Sequence, residues 1–359
     1  MTDSPFGNAQ FFAPQHKRDV PRPLPLFLDM LRRETAASSE RQTAALAGLR
    51  RYQEAPRGRR RMKPVRYRRG AARLRDGGGA TDAPPVVLVP SLINPPSVLD
   101  LARGRSLVDH LAGAGLHPWL LDWGHPRARD AALDLAGHVT ERLLPLLARL
   151  HRPPLLVGYC LGGTLALAAA ALLGPRCAGV ATVAAPWRFT GYGERARAAM
   201  RASWQQAEPA CRALGVLPME VLQSGFWQLD PARTVAKYEA LATTDAATLA
   251  RFVLLEDWAN AGAPLTYAAG AELFGALVGE DAPGGGAWHV GGRAVTPGDL
   301  ACPSIEFVSL SDRIVPAATA AGLDERRDVG AGHVGMMVGG RAQALLYDPL
   351  AEWLRGVAG

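Results

Sequence analysis

The sequence predicts an α/β fold, in which a mostly parallel sheet is covered by helices on both faces and a helical cap is inserted late in the chain. Three observations carry that expectation. The short apolar bursts "VVLVP", "HPWLLDW", "PLLVGY" and "GVATVAAP" alternate with amphipathic stretches around residues 100–114 and 130–150, the rhythm of a sheet buried on both sides. The third burst runs through Gly158-Tyr159-Cys160-Leu161-Gly162 straight into an alanine-rich helix. After Pro186 the strand rhythm stops, and it resumes only at "PSIEFVSLSDRIVP".

Taken in order, residues 1–80 are rich in Arg and Pro and read as an appended basic arm. One helix is expected across "PLFLDMLRRETAASSERQTAALAGLRRYQEA", and the arm ends at the breaker "DGGGATDAPP". Residues 81–187 and 296–359 form the expected sheet domain, closing with strands at "PSIEFVSLSDRIVP" and "DERRDVGAGHVGM" and a helix near "AQALLYDPLAEWLRGV". Residues 188–295, helical by pattern, form the expected cap.

Composition narrows the function classes. A chain of 359 residues with 48% hydrophobic residues and mean hydropathy near zero can bury a large core. The four cysteines, 160, 177, 211 and 302, have neither the density of a disulfide scaffold nor the spacing of a zinc site, which suits a reducing cytoplasm. The first twenty residues lack the apolar core of a signal peptide, and no segment offers the roughly 18 uncharged apolar residues of a membrane span. No metal and no cofactor are expected.

The formal charge of +7 is local. Arg57, Arg59, Arg60, Arg61, Lys63, Arg66, Arg68, Arg69, Arg73 and Arg75 contain no acid among them, and the rest of the chain then carries −3. Such a block attracts phosphates of a nucleic acid, a lipid surface or a nucleotide-bearing substrate, or else it is a solvated connector or edge strand.

The chemistry centres on Cys160. Strand, then G-x-C-x-G, then helix is a nucleophile elbow, whose small flanking residues let the chain turn sharply and lift the central side chain clear of the sheet. The positive end of the following helix favours a thiolate, and Leu161 offers its backbone N–H to an oxyanion. An elbow of this kind is followed along the chain by an acid and a histidine, and Asp312 in "SLSDRIVP" and His333 in "GAGHVGM" stand in that order. His333 would take the thiol proton, and Asp312 would hold the imidazole. A second oxyanion N–H is expected near Leu92 in "PSLINPP". His16, His110, His138 and His151 have ordinary surroundings, and Cys177, Cys211 and Cys302 read as packing residues. Trp123 and Trp187 each follow a strand and are expected near the mouth of the site.

The segments "VPSLINPPSVLDLARGRSLVDHLAGAGLHPWLLDWGHP", "GYCLGGT", "EDW", "LACPSIEFVSLSDRIVP" and "GAGHVGMMVGGRAQ" resemble successive motifs of polyhydroxyalkanoate synthases, most closely the short class III catalytic subunits. The resemblance runs over roughly residues 86–358. It implies an α/β-hydrolase fold and an acyltransferase that polymerises 3-hydroxyacyl-CoA, with Cys160, His333 and Asp312 as its triad. It further implies a polyester chain or granule surface as partner, and a companion synthase subunit or a homodimer. Acyl-CoA is then substrate rather than cofactor. Two departures stand out: Arg313 follows Asp312 where these synthases commonly have His, and the basic arm lies outside the resemblance. A cysteine hydrolase, such as an intracellular polyester depolymerase or thioesterase, is the enzymatic alternative. A non-catalytic binder of granules or DNA on the same scaffold is the other.

Overall fold

In a computed structural model, residues 20–58 and 60–358 are described. Their contacts divide into two compact units, one of residues 20–58 with 226–260 and one of 60–225 with 261–358. This partition differs from the division expected from sequence, because the apolar residues of the first segment share a core with the middle of the inserted one.

In the smaller unit, α1 (Leu24–Glu34) and α2 (Ser39–Glu54) replace the single helix expected there. Thr35 ends the first, and Ser38 caps the second by accepting from the Arg41 N–H at 3.2 Å. The two helices bury Phe27, Met30, Leu31, Leu49 and Tyr52 against Trp227, Val235, Tyr238, Leu241 and Val253. Phe27 meets the Tyr238 ring at 4.8 Å and the Trp227 ring edge-on at 5.3 Å, contacts that fix geometry as well as exclude water. The buried Glu256 is satisfied by Lys237 Nζ at 2.7 Å and the Tyr238 hydroxyl at 2.8 Å.

The larger unit is built on eight strands: β1 (Val65–Arg69), β2 (Ala72–Asp76), β3 (Pro85–Val89), β4 (His117–Asp122), β5 (Leu155–Tyr159), β6 (Gly179–Val183), β7 (Ser304–Ser309) and β8 (Glu325–Val329). They lie in the order β1-β2-β4-β3-β5-β6-β7-β8. Only β2 runs against its neighbours, and every other pairing is parallel. This is the α/β-hydrolase arrangement. Strands β3 to β7 are buried along their whole length, which is why each reads as an unbroken apolar burst rather than an alternation. Helix α3 (Leu161–Leu173) is buried from Leu161 to Ala170. Its alanines and glycines let it lie close against the sheet.

The basic block is the edge of this sheet. β1 and β2 alternate arginines with Val65, Tyr67, Ala72 and Leu74, and charged side chains on a terminal strand discourage pairing with another chain. The charges are largely met within the fold. Arg60 reaches Asp100 at 2.7 Å and Asp109 at 2.5 Å, Lys63 reaches Asp109 at 2.8 Å, and Arg66 reaches Asp76 at 3.3 Å. Arg73 and Arg75, on one face of β2, converge on Asp122 of β4 at 3.2 and 2.8 Å. Arg57 pairs with Asp257 in the smaller unit at 3.1 Å. The acids distant in sequence therefore compensate the block in space. Arg59 and His16 fall outside the described residues.

The inserted stretch is helical, as its pattern implies. In the larger unit it supplies α4 (Glu194–Leu214), a helix at Tyr267–Glu272 and a small pairing of Val216–Leu217 with Leu265–Thr266. Helices Pro231–Glu239 and Ala246–Ala259 belong to the smaller unit. Among the described residues no helix is long and apolar enough to cross a membrane.

Candidate active site

The elbow forms where β5 meets α3. Cys160 stands at the helix N-cap with φ 56° and ψ −135°, a left-handed conformation that L residues with a Cβ avoid and that a nucleophile elbow imposes. Backbone bonds hold it there: the Cys160 N–H donates to Val183 O at 3.0 Å, and its carbonyl accepts from the Gly163 N–H at 2.8 Å. The glycines are required by contact. A Cβ on Gly158 would lie 2.3 Å from Gly163 Cα, and one on Gly162 would lie 2.2 Å from Val89 O and 2.5 Å from Pro90 O. The second contact seats the loop after β3, which carries Leu92, directly on the elbow.

Asp312 and His333 arrive from the loops after β7 and β8, at the same carboxyl edge of the sheet as Cys160. The Asp312 carboxylate is buried and divided between two tasks. Oδ1 accepts from the N–H groups of Ile314 at 2.7 Å and Val315 at 2.9 Å, while Oδ2 meets His333 Nδ1 at 2.5 Å. That division fixes the imidazole by Nδ1 and leaves Nε2 free, with Cys160 as the other group that perturbs the ring. Burial alone pulls the imidazole pKa down, but the neighbouring Cys160 and Asp312 outweigh it and push it up to about 10. Arg313 is exposed.

Two tyrosines frame this centre, and the sequence reading assigned a role to neither. Tyr159 donates from its hydroxyl to the His333 carbonyl at 3.2 Å and lays its ring 5.0 Å from the imidazole, so the residue before Cys160 also positions His333. Burial and the charges of Cys160 and Asp312 push the Tyr192 phenol up, which places it within the field of the site. Its turn, Phe189–Tyr192, is pinned by Asp281, which accepts from the Phe189 N–H at 2.6 Å and the Thr190 hydroxyl at 2.7 Å. No sequence signal marked Tyr192, because its place depends on a carboxylate ninety-odd residues away in the chain.

The remaining candidates sort by position. Leu161 is the first residue of α3, and first-turn amides have no intrahelical acceptor. Leu92 is buried two residues beyond Pro90, whose carbonyl accepts from Trp123 Nε1 at 2.9 Å. Trp123 and Trp187 are both buried, so they wall the core rather than open at a mouth. Leu92, Trp123, His138 and Leu265 line a cavity that does not include Cys160. His138 there bonds Asp134 O at 2.6 Å, and burial lowers its pKa to about 4. Among the described residues no cluster of His, Cys, Asp and Glu is arranged to hold a metal.

No protein-family model matches the chain. Curated proteins do. It is 27% identical to the poly(3-hydroxyalkanoate) polymerase subunit PhaC of Allochromatium vinosum, covering 77% of this chain and 82% of that one. It is 26% identical to the subunit of the same name from Synechocystis, covering 75% and 77%. It is also 25% identical to that of Haloferax mediterranei over 75% of this chain, where it spans only 58% of the relative's length. The resemblance read from the motifs thus extends along three quarters of the chain. Solved structures similar to it include epoxide hydrolase A from Mycobacterium thermoresistibile, at 17% identity, 82% and 99% coverage and a TM-score of 0.48. A thermophilic esterase from Thermogutta terrifontis shows 16% identity, 80% and 94% coverage and a TM-score of 0.46.

Proposed function

We propose, starting from the likeness to poly(3-hydroxyalkanoate) polymerase subunits, that this chain is an acyltransferase that joins 3-hydroxyacyl groups from CoA thioesters into a polyester. One observation supports the reading above the others: the residue on the elbow is a cysteine, and at the same edge of the sheet stands a histidine that a carboxylate holds by Nδ1 and that the cysteine perturbs. A thiol suits this reaction. Transfer from CoA to Cys160 exchanges one thioester for another at little cost in free energy, so the acyl group stays activated for a hydroxyl; a serine ester would lose that activation.

The steps follow from the roles of the residues. The Cys160 sulfur adds to the thioester carbonyl, and the resulting oxyanion accepts hydrogen bonds from the Leu161 N–H and the Leu92 N–H. Collapse expels CoA as its thiol, with the proton supplied by His333. A 3-hydroxyl of a further unit or chain end then attacks the acyl-enzyme, gives its proton to His333, and returns the sulfur to the free state. Asp312 keeps the imidazole in one tautomer throughout. Those helices of the insertion that belong to the larger unit would shield the centre from water and move to admit substrate. The product would remain with the enzyme at a granule surface in the cytoplasm, with a companion subunit or a second copy as partner.

Purified protein incubated with 3-hydroxybutyryl-CoA tests this directly. CoA release together with polymer is the expected result. Free 3-hydroxybutyrate in place of polymer would make the chain a thiol hydrolase, and no CoA release, with or without a companion subunit, would leave a binding protein.

A further inference from the structure

We infer that Cys177 and Cys302 form a second functional thiol site, a dithiol that a small-molecule disulfide converts into a Cys177–Cys302 disulfide while Cys160 takes no part. The inference is independent of the reading of Cys160. It begins with register. β6 and β7 are parallel neighbours, Ser304 stands opposite Val180, and the Val180 N–H donates to Pro303 O at 3.0 Å. Cys177 and Cys302 each lie two residues ahead of their strand. Neighbouring strands are about 4.8 Å apart, and a disulfide needs Cα atoms within about 7 Å, so paired strand entries meet the requirement.

Each thiol is the largest single influence on the other's ionisation, as paired strand entries at this spacing require. Cys177 is held from the other side by the carbonyls of Gly179 at 3.5 Å and Pro154 at 3.7 Å. The pair sits at the amino ends of the strands, whereas Cys160 sits at the carboxyl end, five residues or about 16 Å along a strand. Nothing in the proposed reaction uses it.

The order of attack follows from the surroundings. Cys302 is 7% exposed against 3% for Cys177. The neighbouring Cys177 lowers the Cys302 pKa, while Cys302 and burial raise that of Cys177. The Cys302 thiolate attacks oxidised glutathione and displaces one glutathione thiolate, which takes up a proton. Cys177 then attacks the Cys302 sulfur of the mixed disulfide, loses its own proton and displaces the second. Two protein thiols are oxidised, and one glutathione disulfide is reduced to two thiols.

Position gives the bond its consequence. The insertion leaves the sheet after β6 and returns to it at β7, so a bond between the entries of these strands closes a loop that contains the whole insertion. Such a closure stabilises chiefly by restricting the unfolded chain, and it grows with loop length.

The test uses full-length protein with Cys160 first blocked by iodoacetamide, equilibrated in glutathione buffers from reducing to oxidising. Equilibrium is approached both from the folded protein and by refolding the reduced chain in the same buffers. After acid quench and digestion, the expected product is a Cys177–Cys302 linked peptide that dithiothreitol abolishes, with Cys211 still free. The oxidised protein should melt several degrees higher, and Cys177→Ala and Cys302→Ala should each lose that rise. The inference fails if both thiols stay free from both directions in the most oxidising buffer, if either cysteine pairs elsewhere, or if the higher melting temperature survives in Cys302→Ala.

Discussion

Replacing Gly162 by alanine probes the part of the site that no ionisable side chain supplies. The added Cβ would fall 2.2 Å from Val89 O and 2.5 Å from Pro90 O. Ordinary contact requires the β3 loop to retreat by about 1 Å, and a misplacement of that size costs roughly 100-fold in rate, or about 2.7 kcal/mol of barrier. Both clashing atoms are backbone oxygens, so stability falls as well, and turnover is read on protein whose melt shows it folded. The loop cannot move freely, because Pro90 O is tied to Trp123 Nε1 at 2.9 Å. The assay compares kcat for CoA release with the rate of Cys160 alkylation by iodoacetamide, alongside a thermal melt. Turnover should fall about 100-fold while alkylation changes little, because the sulfur and His333 are untouched. A folded Gly162→Ala enzyme with near wild-type turnover would refute the idea that the β3 loop must sit against the elbow to complete the oxyanion site.

Other outcomes follow from the same geometry. Tyr159→Phe removes the hydroxyl that donates to the His333 carbonyl at 3.2 Å but keeps the ring contact, so a loss of about 1 kcal/mol and a several-fold fall in kcat are expected; unchanged turnover and melting would count against a positioning role. His333 should hold its proton until about pH 10, and because its pKa is raised on folding, its stabilising contribution is complete below about 6.5 and is lost as pH rises through 10. Carbon shifts of the imidazole should show that midpoint fall in Cys160→Ala, where the pull of the sulfur is gone; a midpoint that stays put would contradict the coupling. Arg73→Gln with Arg75→Gln strands the buried Asp122 and should destabilise by about 3–5 kcal/mol, read by denaturant unfolding, whereas Arg68→Gln on the exposed edge should leave melting unchanged.

The parts of the fold that were legible in the sequence are those set by local chemistry. β3 to β7 are buried on both faces and so declare themselves as apolar runs, and the elbow declares itself because only small residues tolerate the approaches at Gly158 and Gly162. β1 and β2 showed only as one of several readings of the basic block, a solvated connector or edge strand, since an edge strand needs apolar residues on one face only and here arginines fill the other. Thr35 to Ser38 broke the expected first helix by capping chemistry that a scan of apolar spacing passes over. The joint core of Phe27, Tyr52, Trp227 and Tyr238 was out of reach because its segments lie far apart in the chain, and composition carries no record of which distant helices meet. Cys160, Asp312 and His333 were singled out by their order along the chain, and the fold brings Asp312 against His333 at the edge of the sheet that also holds Cys160. Tyr192 and the meeting of Cys177 with Cys302 depend on loop placement and strand register, which appear only once the chain is folded.

The central claim is that Cys160 carries the acyl group, and mass spectrometry of an acid-quenched reaction tests it most directly. Protein mixed with 3-hydroxybutyryl-CoA and stopped early should yield a Cys160 peptide heavier by one or more 3-hydroxybutyryl units, released by hydroxylamine as a thioester is, and Cys160→Ala protein should fold normally, carry no such adduct and release no CoA. CoA release from wild-type protein with the Cys160 peptide unmodified, or continued turnover in Cys160→Ala, would contradict the account.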